Sequence, residues 1–423
     1  ANWAFLSRVG LERPAFGGYG EDLFVEALGG RKLPRGTQTF AHAYGGHQFG
    51  FWSGQLGDGR AISLGEVVGF APSELDFTGA RSWLWEVSLK GAGKTPYSRG
   101  GDGRAALANA AREFFAPPYL EAAGVPVAMT LAVVASDDDR DRLVRDEWYD
   151  GNVARRKPGV VARALPSFLR FGSLQLAAKR QGFDAVVEIA RMALSTIGRM
   201  EATDDAATAY LARLPAASAV PQWHRERCFF ARLASPSCAA EHARLGDKDL
   251  LECLLERVTS RTAALFAAWT SVGFAHGVLN TDNLSLLGVT LDLNVYGFLS
   301  RFDLGWAPNH IDDDRRYAFG EQPNIAKWNL RRLADALSGV TFVDDREKDS
   351  QTWMEFDRGL WLEVSEGAVE EAFDVTYETC LASRMRLRLG LPAVSGGVAD
   401  QWTAQGRGAP DQLTQAWFVW LQE

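Results

Sequence analysis

The chain has 423 residues, 47% of them hydrophobic and 23% charged, and a net charge of −8. That composition is ordinary for a globular protein with ample core material, and at roughly 100–200 residues per domain it predicts two or three units. The acidic balance gives no basic footprint, so a dedicated nucleic-acid binder is not expected, and no apolar run reaches the ~18 residues of a membrane-spanning helix.

Residues 40–103 are rich in glycine and aromatics. Within them GQLGDGRA (54–61) reads as a flexible loop whose N–H groups can approach a phosphate, with Arg60 as a partner. In RSWLWEVSLK, Trp83, Trp85, Val87 and Leu89 alternate with Leu84, Glu86, Ser88 and Lys90. That period of two predicts a strand with one greasy face and Lys90 closing the other. GAGKTPYS (91–98) is not a Walker A loop, because Ser88 stands where its first glycine is required. The Ala-rich stretch from Arg104 to Phe115 predicts a helix carrying Arg112 and Glu113. Pro117 and Pro118 are expected to break or kink it.

SDDDRDRLVRDEWYDG (136–151) reads as a charged, solvated loop or helix. PGVVARALPSFLRFG (158–172) reads as mixed strand and connector. From Ser173 onward the pattern turns helical, as in DAVVEIARMALSTIGRM and DLLECLLERVTSRTAALFAAW. A sheet-rich first part thus hands over near residue 172 to a helix-rich second part, an α+β organisation. The phrase GDGRA occurs at 57–61 and 101–105, too little to make a repeat protein. Cys228, Cys238, Cys253 and Cys380 are scattered without a C-x-x-C pair, so neither a zinc ribbon nor a disulfide framework is expected. A reducing, cytoplasmic setting follows as an expectation. The chain begins ANWAFLSRVG, without Met or a signal-peptide pattern, and reads as trimmed, processed or a fragment.

HGVLNTDN (276–283) carries the chemistry. His276 and Asn283 keep the spacing of the kinase catalytic loop, H-R-D-L-x-x-x-N, but Val278 stands where the base should be. Valine accepts no proton. Asp282, beside Asn283, offers a carboxylate from a new place; it is a general base, a metal ligand or a turn former. DNLSLLGVTLD (282–292) reads as a tight hairpin around Gly288. Its open end would bring Asn283 and Asp292 together, hard oxygen ligands suited to Mg²⁺ or Mn²⁺. Alternatively Asn283 caps a turn and Asp292 is a solvated acid. So placed, Asp292 adds little to a core. Lys90 and Glu113 match the kinase Lys–Glu pair. Arg163 and Arg170 suit phosphate binding, although most surface arginines bind nothing in particular.

YGGHQFGFWSGQLGDGRA, LKGAGKTPYSRGGDGRA, HGVLNTDN and NHIDDDRRYAFGEQPNIAKWNL, spread from about residue 42 to 337, together resemble the selenoprotein O family. The resemblance implies a protein-kinase-like two-lobed fold, with a sheet-rich N-lobe over 1–172 and a helix-rich C-lobe over 173–423. It implies transfer of AMP from ATP to Ser, Thr or Tyr hydroxyls of proteins, with Mg²⁺ or Mn²⁺ and with ATP flipped relative to kinases. By the same resemblance Gly57, Gly59, Arg60, Lys90, Asp102, Gly103, Arg163 and Arg170 line the nucleotide, and Glu113 holds Lys90. Asp282 is the proton acceptor; Asn283 and Asp292 hold the metal, Asp292 also facing the nucleotide. Leu293, Asn294 and Val295 depart from the family's Tyr-Gly-Pro, Ala162 from its usual Thr and Arg315 from its usual Gly. APPY (116–119) interrupts a helix that usually runs on, and the family's redox-active tail is not found in this sequence. A catalytically silent scaffold that binds nucleotide or a partner is the alternative, as is transfer of UMP. Phosphoryl transfer is disfavoured by Val278.

Overall fold

A computed structural model describes residues 1–11, 19–69, 83–136, 142–145, 153–211, 245–341, 354–355 and 366–390. Two short helices, α1 (Trp3–Arg8) and α2 (Tyr19–Leu28), precede a tight hairpin of β1 (Gly45–Gln48) and β2 (Phe51–Gln55). The hairpin turns at Phe49 and Gly50, both at positive φ, 51° and 93°. That is the handedness a two-residue hairpin needs to match strand twist.

A five-stranded sheet follows. Strand β3 (Ala61–Gly69) pairs antiparallel with β4 (Trp83–Lys90). Strands β5 (Ala105–Ala106), β6 (Met129–Ala135) and β4 all pair with β9 (Pro158–Leu165), which is therefore central. The alternation in β4 holds, but both faces are buried. Trp83, Trp85, Val87 and Leu89 join Phe5, Leu6 and Leu28 in a core beneath the sheet. Glu86, Ser88 and Lys90 are buried on the opposite face and are matched with polar partners there, as burial requires. In the charged segment 136–151, residues 142–145 form a strand rather than the loop or helix expected, and 137–141 and 146–151 lie outside the described residues. There β7 (Arg142–Arg145) pairs with β8 (Val153–Arg156).

Helix α3 (Leu107–Ala122) continues past Pro117 and Pro118, which do not break it. A proline lacks the N–H that would bond four residues back. The carbonyl freed by Pro118 belongs to Phe114, and it accepts the Thr130 hydroxyl at 3.0 Å. A tertiary partner thus replaces a helical one.

The C-terminal part is helical: α4 (Phe171–Arg180), α5 (Phe183–Leu211), α6 (Asp247–Ser271), α7 (Gln322–Leu337) and α8 (Glu366–Arg388). Leu254, Phe266, Trp269, Leu330 and Phe373 are among the side chains of its core. Between α6 and α7 the short strands β10 (Phe274–Ala275) and β11 (Gly297–Phe298) pair and bracket the HGVLNTDN sequence. Cys253 and Cys380 are both disulfide-bonded. No disulfide framework is expected from the cysteine spacing, and these bonded cysteines remove the cysteine argument for a reducing compartment. Spacing in sequence does not report distance in a helical core. Cys228, Cys238 and the C-terminal WFVWLQE lie outside the described residues. No helix among the described residues is long and apolar enough to cross a membrane.

His47 of β1 is buried against α4 and α7. Burial, with Arg332 and Lys179 nearby, pushes its pKa down to about 3, against the lift from its Gln175 hydrogen bond. A histidine whose folded pKa lies below its unfolded one stabilises fully above about 6.5 and loses that stability as pH falls toward the folded value. Acidification to about pH 5 should therefore remove about 2 kcal/mol through this residue. The urea midpoint should fall less over the same interval in His47→Gln. An equal fall in both would exclude His47 as a source.

Candidate active site

Strand β4 delivers Lys90 to the polar side of the sheet, and α3 delivers Glu113 opposite it. The Lys90 ammonium lies 3.0 Å from Glu113 Oε2 and 2.6 Å from Asp292 Oδ1. Arg163 of β9 joins the same acids, at 3.0 Å from Glu113 and 2.9 Å from Asp292. Arg170, which opens α4, lies 2.6 Å from Asp292 Oδ2 and 3.4 Å from Asp58. Neither arginine is a surface residue: both are 1–2% exposed. Burial opposes their charge, but Glu113 and Asp292 for Arg163, and chiefly Asp292 for Arg170, raise their pKa above the ordinary guanidinium range. Burial pushes the Asp292 carboxyl up, and Lys90, Arg170 and Arg163 together hold it well below the usual carboxylate range.

Asp292 is reached differently from the hairpin predicted. Gly288 does turn, at φ 64°, with its N–H on Ser285 O at 3.2 Å. The two arms, however, pair outward, Ser285 with Arg170 and Thr290 with Val127. Asp292 itself sits at φ 58°, a left-handed conformation that costs a non-glycine residue of order 1–3 kcal/mol. It is a hub for three cations, not the peripheral acid expected. Arg315, noted as replacing a glycine, also has positive φ, 52°.

A cavity of about 400 Å³ opens in front of this cluster. Of the predicted residues it is lined by Gly57, Gly59, Arg60, Lys90, Asp102, Gly103, Asn283 and Asp292. Glycine is required where backbone crowds. A Cβ on Gly57 would fall 2.4 Å from the Tyr97 ring, and one on Gly103 would fall 1.9 Å from Gly93 O. The first Gly-loop and the second GDGRA phrase therefore face each other across one cavity. Glu113, Arg163, Arg170 and Asp282 are not in its lining; the first three stand behind Lys90 and Asp292. A larger cavity, about 1610 Å³, lies against α2, β3, β4 and α5 and contains none of the predicted site residues.

Asp282 lies in a one-turn 3₁₀ helix, Thr281–Asn283. Its backbone carbonyl accepts Arg170 at 2.8 Å and its Oδ2 accepts the Gln48 amide at 3.3 Å. Burial pushes its carboxyl up to about 6 against the pull of Arg170. Asn283 donates its amide N–H to Val278 O at 3.1 Å, which orients its oxygen away from that contact. His276 is buried, with Nε2 on Leu291 O at 2.8 Å, and ties the loop to the strand of residues before Asp292.

The family model for protein adenylyltransferase SelO matches residues 2–422. The chain belongs to the SelO family. Its relatives include proteins called protein nucleotidyltransferase YdiU. The one from Methylobacillus flagellatus is 39% identical over 362 residues, 85% of this chain and 57% of the relative. Those from Azoarcus sp. and Tolumonas auensis are 41% and 39% identical, over 74% and 79% of this chain and 50% and 53% of their own lengths. The chain spans about half the length of these curated relatives.

The cavity and the cluster behind it also include residues that the sequence did not single out. Asp58 anchors Arg170 and accepts the Tyr44 hydroxyl at 3.1 Å, and Arg170 stacks over the Tyr44 ring at 4.6 Å. Arg99 and Arg104 add charge to the cavity wall. Asp58 lay inside a phrase read for its glycines, and its burial was the missing signal.

Proposed function

We propose that this chain carries the nucleotide site of a protein adenylyltransferase, moving AMP from ATP to Ser, Thr or Tyr hydroxyls of target proteins. One observation carries the reading. Five separated stretches of sequence converge on a single polar cavity with glycine walls, the cations Arg60 and Lys90, and the two oxygen donors Asn283 and Asp292. Backbone N–H groups and cations in such a concavity suit phosphates. The names of the family and its relatives point to the same chemistry.

Asn283 and Asp292 fit a divalent cation. Both line the cavity and carry hard oxygens, the amide N–H of Asn283 is engaged elsewhere, and a cation at Asp292 would share a carboxylate that already meets Lys90, Arg163 and Arg170. Mg²⁺ or Mn²⁺ held there would neutralise phosphate charge. The remaining chemistry belongs to the chain. Lys90, steadied by Glu113, and Arg60 take phosphate charge, and Arg163 and Arg170 supply positive potential from behind. Asp282 accepts the proton of the incoming hydroxyl. The hydroxyl oxygen bonds to the α-phosphorus, the α–β phosphoanhydride bond breaks, and pyrophosphate leaves. Val278 is consistent with a base moved along the loop. The Lys90–Glu113 pair between strand and helix supports a kinase-like two-lobed arrangement, with lobes over 1–172 and 173–423.

Incubation with ATP labelled separately at the α- and γ-phosphates tests the reading, with α-labelled UTP in parallel. Label on protein from the α-position of ATP alone is expected. Label from UTP alone replaces AMP by UMP, label from the γ-position restores phosphoryl transfer, and no label leaves a nucleotide-binding scaffold.

A further inference from the structure

The end of β1 and the turn after it grip the HGVLNTDN loop residue by residue. The Phe49 N–H donates to Asn280 Oδ1 at 3.3 Å and to the Tyr317 hydroxyl at 2.8 Å. The His47 N–H donates to the Thr281 hydroxyl at 2.8 Å. The Gln48 amide donates to Asp282 Oδ2 at 3.3 Å. Gly46 faces the same carboxylate so closely that a Cβ there would lie 2.6 Å from Oδ1. Four successive residues, three of β1 and the first of the turn, thus meet three successive residues of the loop, more than 230 positions away in the chain.

Two features mark this as more than packing. Phe49 is a bulky residue held at φ 51°, a strained conformation that persists where its surroundings over-determine it. Its ring lies 5.1 Å from Tyr317, whose hydroxyl reaches Asn280 at 2.7 Å. The carboxylate itself is asymmetric. Oδ2 has the Gln48 amide, while Oδ1 is buried without a hydrogen-bond partner among the described residues. An unpartnered buried carboxylate oxygen is costly, and functional sites are where such costs are tolerated.

We propose that Gln48 is a positioning residue for the proton acceptor, holding the Asp282 carboxylate through Oδ2 in the orientation from which it takes the substrate hydroxyl's proton. Gly46 packs directly against Oδ1, where no larger side chain fits. The proposal rests on Asp282 being the base, and it names the residues that set that base's geometry.

The test compares Gln48→Met, Gly46→Ala and Asp282→Asn, singly and with Gln48→Met added to Asp282→Asn, in the full chain. Readouts are kcat and KM for nucleotidyl transfer, nucleotide affinity and melting temperature. Gln48→Met fills similar volume without a donor. It should lower kcat about tenfold or more, the worth of one hydrogen bond to a charged group, with KM for the nucleotide and melting temperature unchanged. Gly46→Ala should lower kcat in the same way. In the Asp282→Asn background Gln48→Met should have no further effect, because its target carboxylate is gone. A kcat unchanged by Gln48→Met, or a loss that multiplies with that of Asp282→Asn, overturns the proposal and leaves the base assignment standing. Full transfer by Asp282→Asn overturns the base assignment, and this proposal with it. If Gln48→Met melts early, Gln48→Glu provides the same readout, since a carboxylate there accepts where the amide donates; retained kcat in Gln48→Glu would also sink the idea.

Discussion

Asp282→Asn should leave nucleotide binding nearly intact and slow transfer by roughly 10²–10⁴-fold, the usual contribution of general-base catalysis. The structure explains why binding should survive. Arg170 holds Asp282 through its backbone carbonyl at 2.8 Å, not through the carboxylate. Asp282 is also absent from the cavity wall that Lys90, Asn283 and Asp292 form. Stability should not fall either. Burial disfavours the charged form of this carboxyl, and a neutral amide of the same size carries no such penalty. Each competing role gives a different pattern. A metal ligand would lose binding and transfer together. A turn former would lose stability while the folded remainder transferred normally. Titration calorimetry with nucleotide, a melting curve and a rate separate the three.

What the sequence could show follows from how far each signal reaches. The alternation of β4 is local, and it placed Trp85 in a core and Lys90 on the polar face correctly. Gly288 was legible as a turn because its backbone demand is local too. The partners of its arms were not, since Val127 and Arg170 are more than a hundred residues away and replace the hairpin ladder. Pro117 and Pro118 signalled a break that Thr130, on another strand, compensates. The Lys90–Glu113 pair was legible only through its analogy with kinases. The burial of Arg163 and Arg170, and the role of Asp58 as their neighbour, required knowing which faces meet. Gln48 carried no sequence signal for its contact with Asp282, because an exposed glutamine and a positioning one are written alike.

Asp292→Ala should abolish metal-dependent nucleotide binding and also destabilise the fold, the second effect being one that a peripheral acid would not show. The carboxylate bridges Lys90, Arg163 and Arg170 at 2.6, 2.9 and 2.6 Å. Removing it leaves three buried cations facing Glu113 and Asp58. Breaking a buried pair by deleting one partner typically costs about 3–5 kcal/mol, because the remaining charge is uncompensated. The strain of φ 58° at this position remains with alanine and is relieved only by glycine. Asp292→Gly removes both the carboxylate and the conformational strain. It should therefore be less destabilised than Asp292→Ala by about 1 kcal/mol or more, while binding Mg-nucleotide no better. Urea denaturation of the two variants beside the parent measures the stability terms, and calorimetry with Mg-nucleotide measures the binding. Equal stability of all three would show that the cations do not depend on Asp292. Parent-like binding in either variant would remove Asp292 from the metal and nucleotide site. A different outcome, stability lost but binding kept at low temperature, would make the acid an organiser of Lys90, Arg163 and Arg170 alone.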